Sequence, residues 1–324
     1  MRKYIKGFFT LNEEFKIIKA CRYDTACAFL LLSVGSAFPA VKTGYKLFSV
    51  AADSSASQIL FAGVRFMLAG VLVIIFGSAL SKKFLYPKDL KSAGRCLVLS
   101  LFQTVLQYTA FYIGLAHISG VKSSVLVSLN VFISLIISSV ICKMERLTAS
   151  KAVGSLIGFA GVALISLNSA GALSGFSING EGAIILSAIA YSVSSVLIKR
   201  FSEKDDPVML SGWQFLVGGA VLAVAGGVLG GKISAQSGVK PYLLLLYLAF
   251  ISAAAYTLWG LLLKHNPVSK VSVLGFMNPV FGVLLSALVL GEAQEAFSTK
   301  NLISLLLVCI GIYTVNADFG KNKN

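Results

Sequence analysis

The stretch Gly63-Val64-Arg65-Phe66-Met67-Leu68-Ala69-Gly70-Val71-Leu72-Val73-Ile74-Ile75-Phe76-Gly77 carries a glycine at every seventh position of an apolar run. The pattern returns in Gly212-Trp213-Gln214-Phe215-Leu216-Val217-Gly218-Gly219 and on to Gly226, each glycine 149 positions after its counterpart. At that offset Phe66 maps onto Phe215 and Arg65 onto Gln214. Further along, Tyr108, His117, Lys122, Ser124, Asn130 and Ser138 recur as Tyr256, His265, Lys270, Ser272, Asn278 and Ser286 at an offset of 148. One residue lost in a loop accounts for the change. The chain is a duplicated unit of roughly 150 residues, and two copies of a membrane unit facing each other build the central pathway of many transporters.

Composition sets the class. Of 324 residues 56% are apolar and 13% charged, against about half and a quarter in a soluble domain. The apolar residues fall in long blocks that charges punctuate, the signature of a multi-spanning helical membrane protein. Five scattered cysteines without a CxxC or Cys/His cluster support neither a disulfide framework nor a zinc site, and no cofactor is expected. The net charge of +15 sits in short loops, which argues for lipid rather than nucleic acid as the partner. Residues 1–23 lack the apolar core of a cleavable signal peptide. They read as a cytoplasmic tail, either frayed or lying on the membrane surface through Phe8, Phe9, Phe15, Ile17 and Ile18.

The blocks divide into ten spans: 24–42, 57–80, 94–117, 121–142, 149–169, 179–200, 208–231, 241–264, 270–291 and 299–318. Each is near the ~20 residues needed to cross the hydrocarbon. With the N-terminus inside, 21 Lys and Arg fall on the inner side and six on the outer, with Arg65 within a span. The positive-inside rule then places both termini in the cytoplasm, in a multi-pass protein of the inner (plasma) membrane. Five spans per copy is odd, so the second copy enters upside down. The expected fold is an all-α membrane protein of ten transmembrane helices, with inverted five-helix repeats over 24–169 and 179–318 around a central cavity.

Two features qualify the spans. The seven-spaced glycines make a small-residue groove on the second and seventh helices, for static packing or for sliding during gating. Pro39 and Pro279 free backbone carbonyls and act as hinge or gate candidates. Asn130 is followed by Val131 rather than proline, so no kink is expected at that position of the first copy.

Gly35-Ser36-Ala37-Phe38-Pro39-Ala40-Val41-Lys42, Arg65-Phe66 and Asn278-Pro279-Val280-Phe281 leading to Leu290-Gly291-Glu292 together resemble the EamA-type drug/metabolite transporters, over about residues 24 to 317. The resemblance implies a ten-helix fold, alternating access and traffic, often export, of amino acids, nucleosides or drug-like compounds. The first copy departs from it, ending its fourth span in Lys143-Met144-Glu145 rather than Gly-Glu.

None of the 13 acidic residues lies deep in a span, which disfavours carboxylate-based proton coupling. Arg65 is the one ionisable side chain well inside a span, and a buried Arg costs at least ~2.5 kcal/mol on insertion scales. It either holds a substrate carboxylate or has a structural role, capping carbonyls or snorkelling. Gln107, Tyr108, Tyr191, Gln214, Tyr256 and Trp259 are candidate cavity walls, with interhelical bonding or interface belts as the other reading. Tyr112 and Trp213 lean toward the belt. Thr104, Gln107, Tyr108 and Phe111 share a face at regular helical spacing. Asn130 and Asn278 are candidate polar contacts near the pseudo-axis, and His117 and His265 are interfacial.

The expectation is a secondary transporter, exporter or exchanger, of a small organic metabolite such as an amino acid. It acts as a monomer or homodimer and is not an enzyme, since no catalytic set lies in the spans. A multidrug or organic-cation exporter is the alternative. A channel or lipid scramblase is the rival of another class, disfavoured because no filter loop is evident.

Overall fold

The computed structural model describes residues 40–41, 43–51, 54–118, 123, 126–166, 177–276 and 299–316. Among these residues every regular element is helical. The principal helices are α1 (Ser55–Ser81), α2 (Leu90–His117), α3 (Asn130–Ile141), α4 (Ala149–Ser166), α5 (Ile178–Phe201), α6 (Pro207–Val228), α7 (Lys240–His265), α8 (Val268–Ser272) and α9 (Thr299–Asn316). Five of them, α1, α2, α5, α6 and α7, are long and apolar enough to cross a membrane. The shortest of the five, α6 with 22 residues, reaches about 33 Å at 1.5 Å per residue, against ~30 Å of hydrocarbon. Helices α3, α4 and α9 are shorter apolar elements.

Local chemistry sets where the helices begin. Ser54 caps α1 by accepting from Ser57 N, Asp89 caps α2 at Ser92 N, and Asp206 caps α6 at Val208 N, with Pro207 in the first turn. Helix α1 ends where Lys82 turns left-handed at φ 52°. Two helices depart from α geometry midway. Ser100–Leu106 of α2 and Ile137–Ile141 of α3 are π-helical, a form frequent at functional sites. The first of these corrects the regular spacing expected across the third span, because the wider π turn intervenes between Thr104 and Tyr108.

The seven-spaced glycines pack against each other. A Cβ on Gly63 would lie 2.3 Å from Ala223 N, one on Gly70 2.5 Å from Leu216 N, and one on Gly219 2.4 Å from Met67 N. Only glycine permits this approach, in which the two backbones nearly touch. Partners fall in number along α6 as they rise along α1, so the two helices cross antiparallel. Helices α4 and α9 repeat the device: Gly154 meets Gly311 and Val315, while Gly161 meets Ser304.

The connections sort into two ends. At one end Arg95 pairs with Asp205, which also accepts from Ser92 Oγ at 2.9 Å. Glu145 joins Lys151 to Ser269, and Lys199 Nζ donates to the carbonyls of Leu263 and Asn266. Trp213 Nε1 donates to Leu85 O at 3.0 Å. At the opposite end Ser234 N and Gln236 N donate to Phe48 O and Leu47 O, and Lys232 N donates to Ser57 Oγ.

Candidate functional site

Helices α1, α6, α2 and α7 each bring one ring to a common centre. Phe66 and Phe215 stack with centroids 5.0 Å apart and planes 5° from parallel. Tyr108 lies 4.5 Å from Phe66, and Tyr256 lies 4.8 Å from Phe215. The Tyr108 and Tyr256 hydroxyls share a hydrogen bond of 2.7 Å. Phe66 and Phe215 are counterparts in the duplicated sequence, as are Tyr108 and Tyr256. Exchanging every residue for its counterpart therefore returns the same contacts. The glycine crossing behaves likewise, since Gly63 against Gly219 becomes Gly212 against Gly70.

The exchange fails where counterparts differ: Gln107 answers to Ala255 and Tyr112 to Gly260, and the difference in charge falls at Arg65. Arg65 is 6% exposed, and its guanidinium carbon lies 4.4 Å from the centre of the Phe66 ring, a cation–π contact of about 0.5–2 kcal/mol. Its Nε has no hydrogen-bond partner among the described residues. The hydroxyls of Tyr45, Tyr108 and Tyr256 are within electrostatic reach. At the counterpart position Gln214 is wholly buried: its Oε1 accepts from Thr104 Oγ1 at 2.6 Å and its backbone oxygen accepts from Ser100 Oγ, while its Nε2, like Arg65 Nε, has no partner among the described residues. Thr104 and Ser100 both belong to the π-helical segment of α2.

Around this core Gln107 stands beside the Tyr256 hydroxyl, and its Oε1 is buried without a partner among the described residues. Tyr191 is within electrostatic reach of Tyr108 and Tyr256 and pairs with Trp259 at 5.9 Å. Trp259 is 6% exposed, and its Nε1 has no partner among the described residues. The structure thus gathers Arg65, Gln107, Tyr108, Tyr191, Tyr256 and Trp259, with Gln214 beside them. Tyr108 and Tyr256 meet through their hydroxyls at this centre.

Other expectations fare differently. Tyr112 is 5% exposed and packs on Phe111 and Tyr108, so it is a core residue and not a belt residue. Trp213 is half-buried and anchors the α1–α2 connection through Leu85. His117 is exposed and, among the described residues, bonds to Ile113 O of its own helix. Asn130 stands apart, across α5, where Ser192 Oγ donates to its backbone oxygen at 2.9 Å. The expectation of an unkinked fourth span there is overturned: Leu129 N bonds to Leu126 O and Val131 N to Ser128 O. These short-range bonds mark a break just before Asn130, made without proline. Pro39, Asn278 and Pro279 lie outside the described residues.

Phe66 and Phe215 were legible as repeat markers but not as site residues, and Thr104 and Ser100 gave no sequence signal beyond polarity. The polar groups of the arrangement are amides, phenols and one guanidinium, with aromatic rings on several sides.

Long apolar helices, close glycine crossings and a buried polar-aromatic centre define an integral membrane protein. The model of the EamA-like transporter family matches residues 26–167 and 178–317. The chain belongs to that family of membrane transporters. It is 27% identical over 306 residues to the Bacillus subtilis protein named uncharacterized transporter YvbV, covering 91% of this chain and 92% of that one. It is 29% identical over 272 residues to the Escherichia coli uncharacterized inner membrane transporter YedA, covering 79% and 82%. A solved crystal structure superposes with a TM-score of 0.72 at 20% identity, covering 90% of this chain and 95% of the other, a likeness of fold.

Proposed function

We propose that the chain is a secondary carrier that moves a small organic metabolite by alternating access between two inverted five-helix repeats. The observation that carries this reading is the set of self-matched contacts. Counterparts related by a two-fold axis touch each other only on that axis, and Phe66–Phe215 and Tyr108–Tyr256 both do. The antiparallel crossing of α1 and α6 is what an axis in the membrane plane requires. The two clusters of connections agree with ten spans, each joining loops that the sequence assigns to one side. The end holding Arg95, Lys151 and Lys199 is the cytoplasmic one, in an inner membrane.

Arg65 is the substrate contact in this reading. Its unpartnered Nε in a dry, aromatic setting is matched by a ligand carboxylate, which gives a short charge-assisted bond. Gln107, Tyr108 and Tyr256 border the same space, and separation of the two tyrosines admits the ligand.

Counterflow in proteoliposomes loaded with pooled amino acids, nucleosides and organic cations tests the proposal. Saturable exchange of a carboxylate-bearing compound, abolished in a correctly inserted Arg65→Ala protein, is the expected result. Exchange of organic cations alone, unchanged in Arg65→Ala, assigns Arg65 to structure and selects the drug-exporter alternative. Flux without saturation or counterflow refutes the carrier.

A further inference from the structure

A second polar site lies between α3 and α8, away from the aromatic centre. Along α3, Asn130, Ser134 and Ser138 follow at intervals of four. From the first residues of α8 onward, Ser269, Ser272 and Gly275 follow at intervals of three. Each series is one face of its helix. The two faces meet in antiparallel register. A Cβ on Gly275 would lie 3.8 Å from Asn130 Oδ1. About two turns nearer the loop, Glu145 bridges Ser138 Oγ at 2.6 Å and Ser269 N at 3.0 Å. Ser134 and Ser272 therefore occupy the rung between these two.

The hydrogen bonding on that rung is unusual. Ser138, Ser192 and Ser252 donate to carbonyls three or four residues earlier, the usual way a helix absorbs a hydroxyl. Ser134 Oγ and Ser272 Oγ make no such bond and, with Asn130 Oδ1, have no partner among the described residues. The three residues are 0%, 1% and 8% exposed. The backbone is irregular on both sides of them, broken at Ser128–Leu129 before α3 and tightened to a 3-10 helix over Val273–Phe276 after α8. Irregular backbone at membrane depth is sustained where it lines a cavity or an ion.

We propose that Asn130 Oδ1, Ser134 Oγ and Ser272 Oγ form a binding site for a small monovalent cation. A cation accepts lone pairs from all three oxygens at once. The ligands are neutral, hard oxygens, which suit one positive charge; a divalent ion is held by carboxylates. The shared chemistry has two sources, free Na+ and the ammonium head of an organic molecule. Glu145 is not a ligand, since Lys151, Ser138 and Ser269 already occupy its oxygens. In a carrier such a site supplies ion coupling without a carboxylate in the spans, but its occupancy is measured without any transport.

The test is equilibrium binding of radiolabelled Na+, and separately of radiolabelled methylammonium, to the purified full chain in detergent. Unlabelled Na+, methylammonium and choline serve as competitors. Saturable binding of Na+ or of methylammonium that choline fails to displace is expected; which of the two binds identifies the source. Ser134→Ala and Ser272→Ala each weaken it about tenfold or more, the loss typical of one bond to a charged partner. Asn130→Asp, which keeps the shape and adds charge, binds at least as tightly at alkaline pH and guards against poor folding of the alanine proteins. Absence of saturable binding of either cation overturns the site, as does binding that no substitution alters.

Discussion

Three glycines of α1 and α6, two on their crossing and one off it, should respond to alanine in a fixed order. At Gly63 the new Cβ meets backbone, Ala223 N, at 2.3 Å. The tightest ordinary contacts are near 3.4 Å, so the helices must part by about 1.1 Å. A gap of that size forfeits a quarter to a half of each pair's attraction of ~0.1–0.2 kcal/mol. Over some forty atom pairs, roughly one large side chain's worth, the loss is about 2 kcal/mol. That agrees with the ~1–3 kcal/mol typical of overpacking. At Gly212 the Cβ meets the side-chain carbons Ile74 Cγ1 at 2.8 Å and Val73 Cγ1 at 3.3 Å, with backbone only at 3.5 Å. Rotation of those side chains relieves most of the clash, and about 1 kcal/mol is expected. At Gly227 nothing lies within 4 Å, so alanine gains helix propensity, up to ~1 kcal/mol. Unfolding of the three purified variants by SDS in mixed micelles reads the differences directly. Equal destabilisation at all three positions, or a stable Gly63→Ala, refutes the account of the crossing.

The Tyr108–Tyr256 hydrogen bond gives a double-mutant cycle: either Phe substitution should cost about 1 kcal/mol, and the double substitution little more than one alone, whereas additive costs in SDS unfolding would show no coupling. Thr104→Val removes the donor to Gln214 Oε1 and leaves a buried amide oxygen unpaired, so a loss of about 1–3 kcal/mol is expected in the same assay; an unchanged midpoint would deny the bond its role. Burial pushes the Glu145 carboxyl up, but donors from Lys151, Ser138 and Ser269 outweigh it and hold the group below its ordinary range. Because the folded value is the lower one, this stabilisation is complete above the ordinary carboxylate range and is lost as pH falls through that range to the folded value. Thermal melting of wild type against Glu145→Gln should therefore show a gap at neutral pH that closes in acid; a gap that persists there contradicts the assignment.

The apolar blocks and the glycine period were enough to read the helices and their close packing, because both follow from local spacing. The duplication also named the pairs Phe66/Phe215 and Tyr108/Tyr256, but not that the members of each pair touch. That depends on where the axis passes, a property of the packed helices. The π-helical turn of α2 escaped notice since Ser100–Leu106 has no Gly or Pro to announce it. The break before Asn130 has no sequence mark for the same reason, since no proline stands there. The 130, 134, 138 spacing of polar residues was visible, but its partner face on α8 was not. Arg65 was recognisable by its cost alone; its seat over Phe66 and its unmet Nε required the neighbours in place.

The exchange of Arg65 for Gln214 across the paired rings has a statistical consequence. A fully symmetric site offers a polar ligand two equivalent poses and a degeneracy of RT ln 2, about 0.4 kcal/mol. Here the poses are unequal, since one end of the ligand meets a cation and the other an amide already bonded to Thr104. In the proposed carrier, a ligand held there is bound with a distinct head and tail.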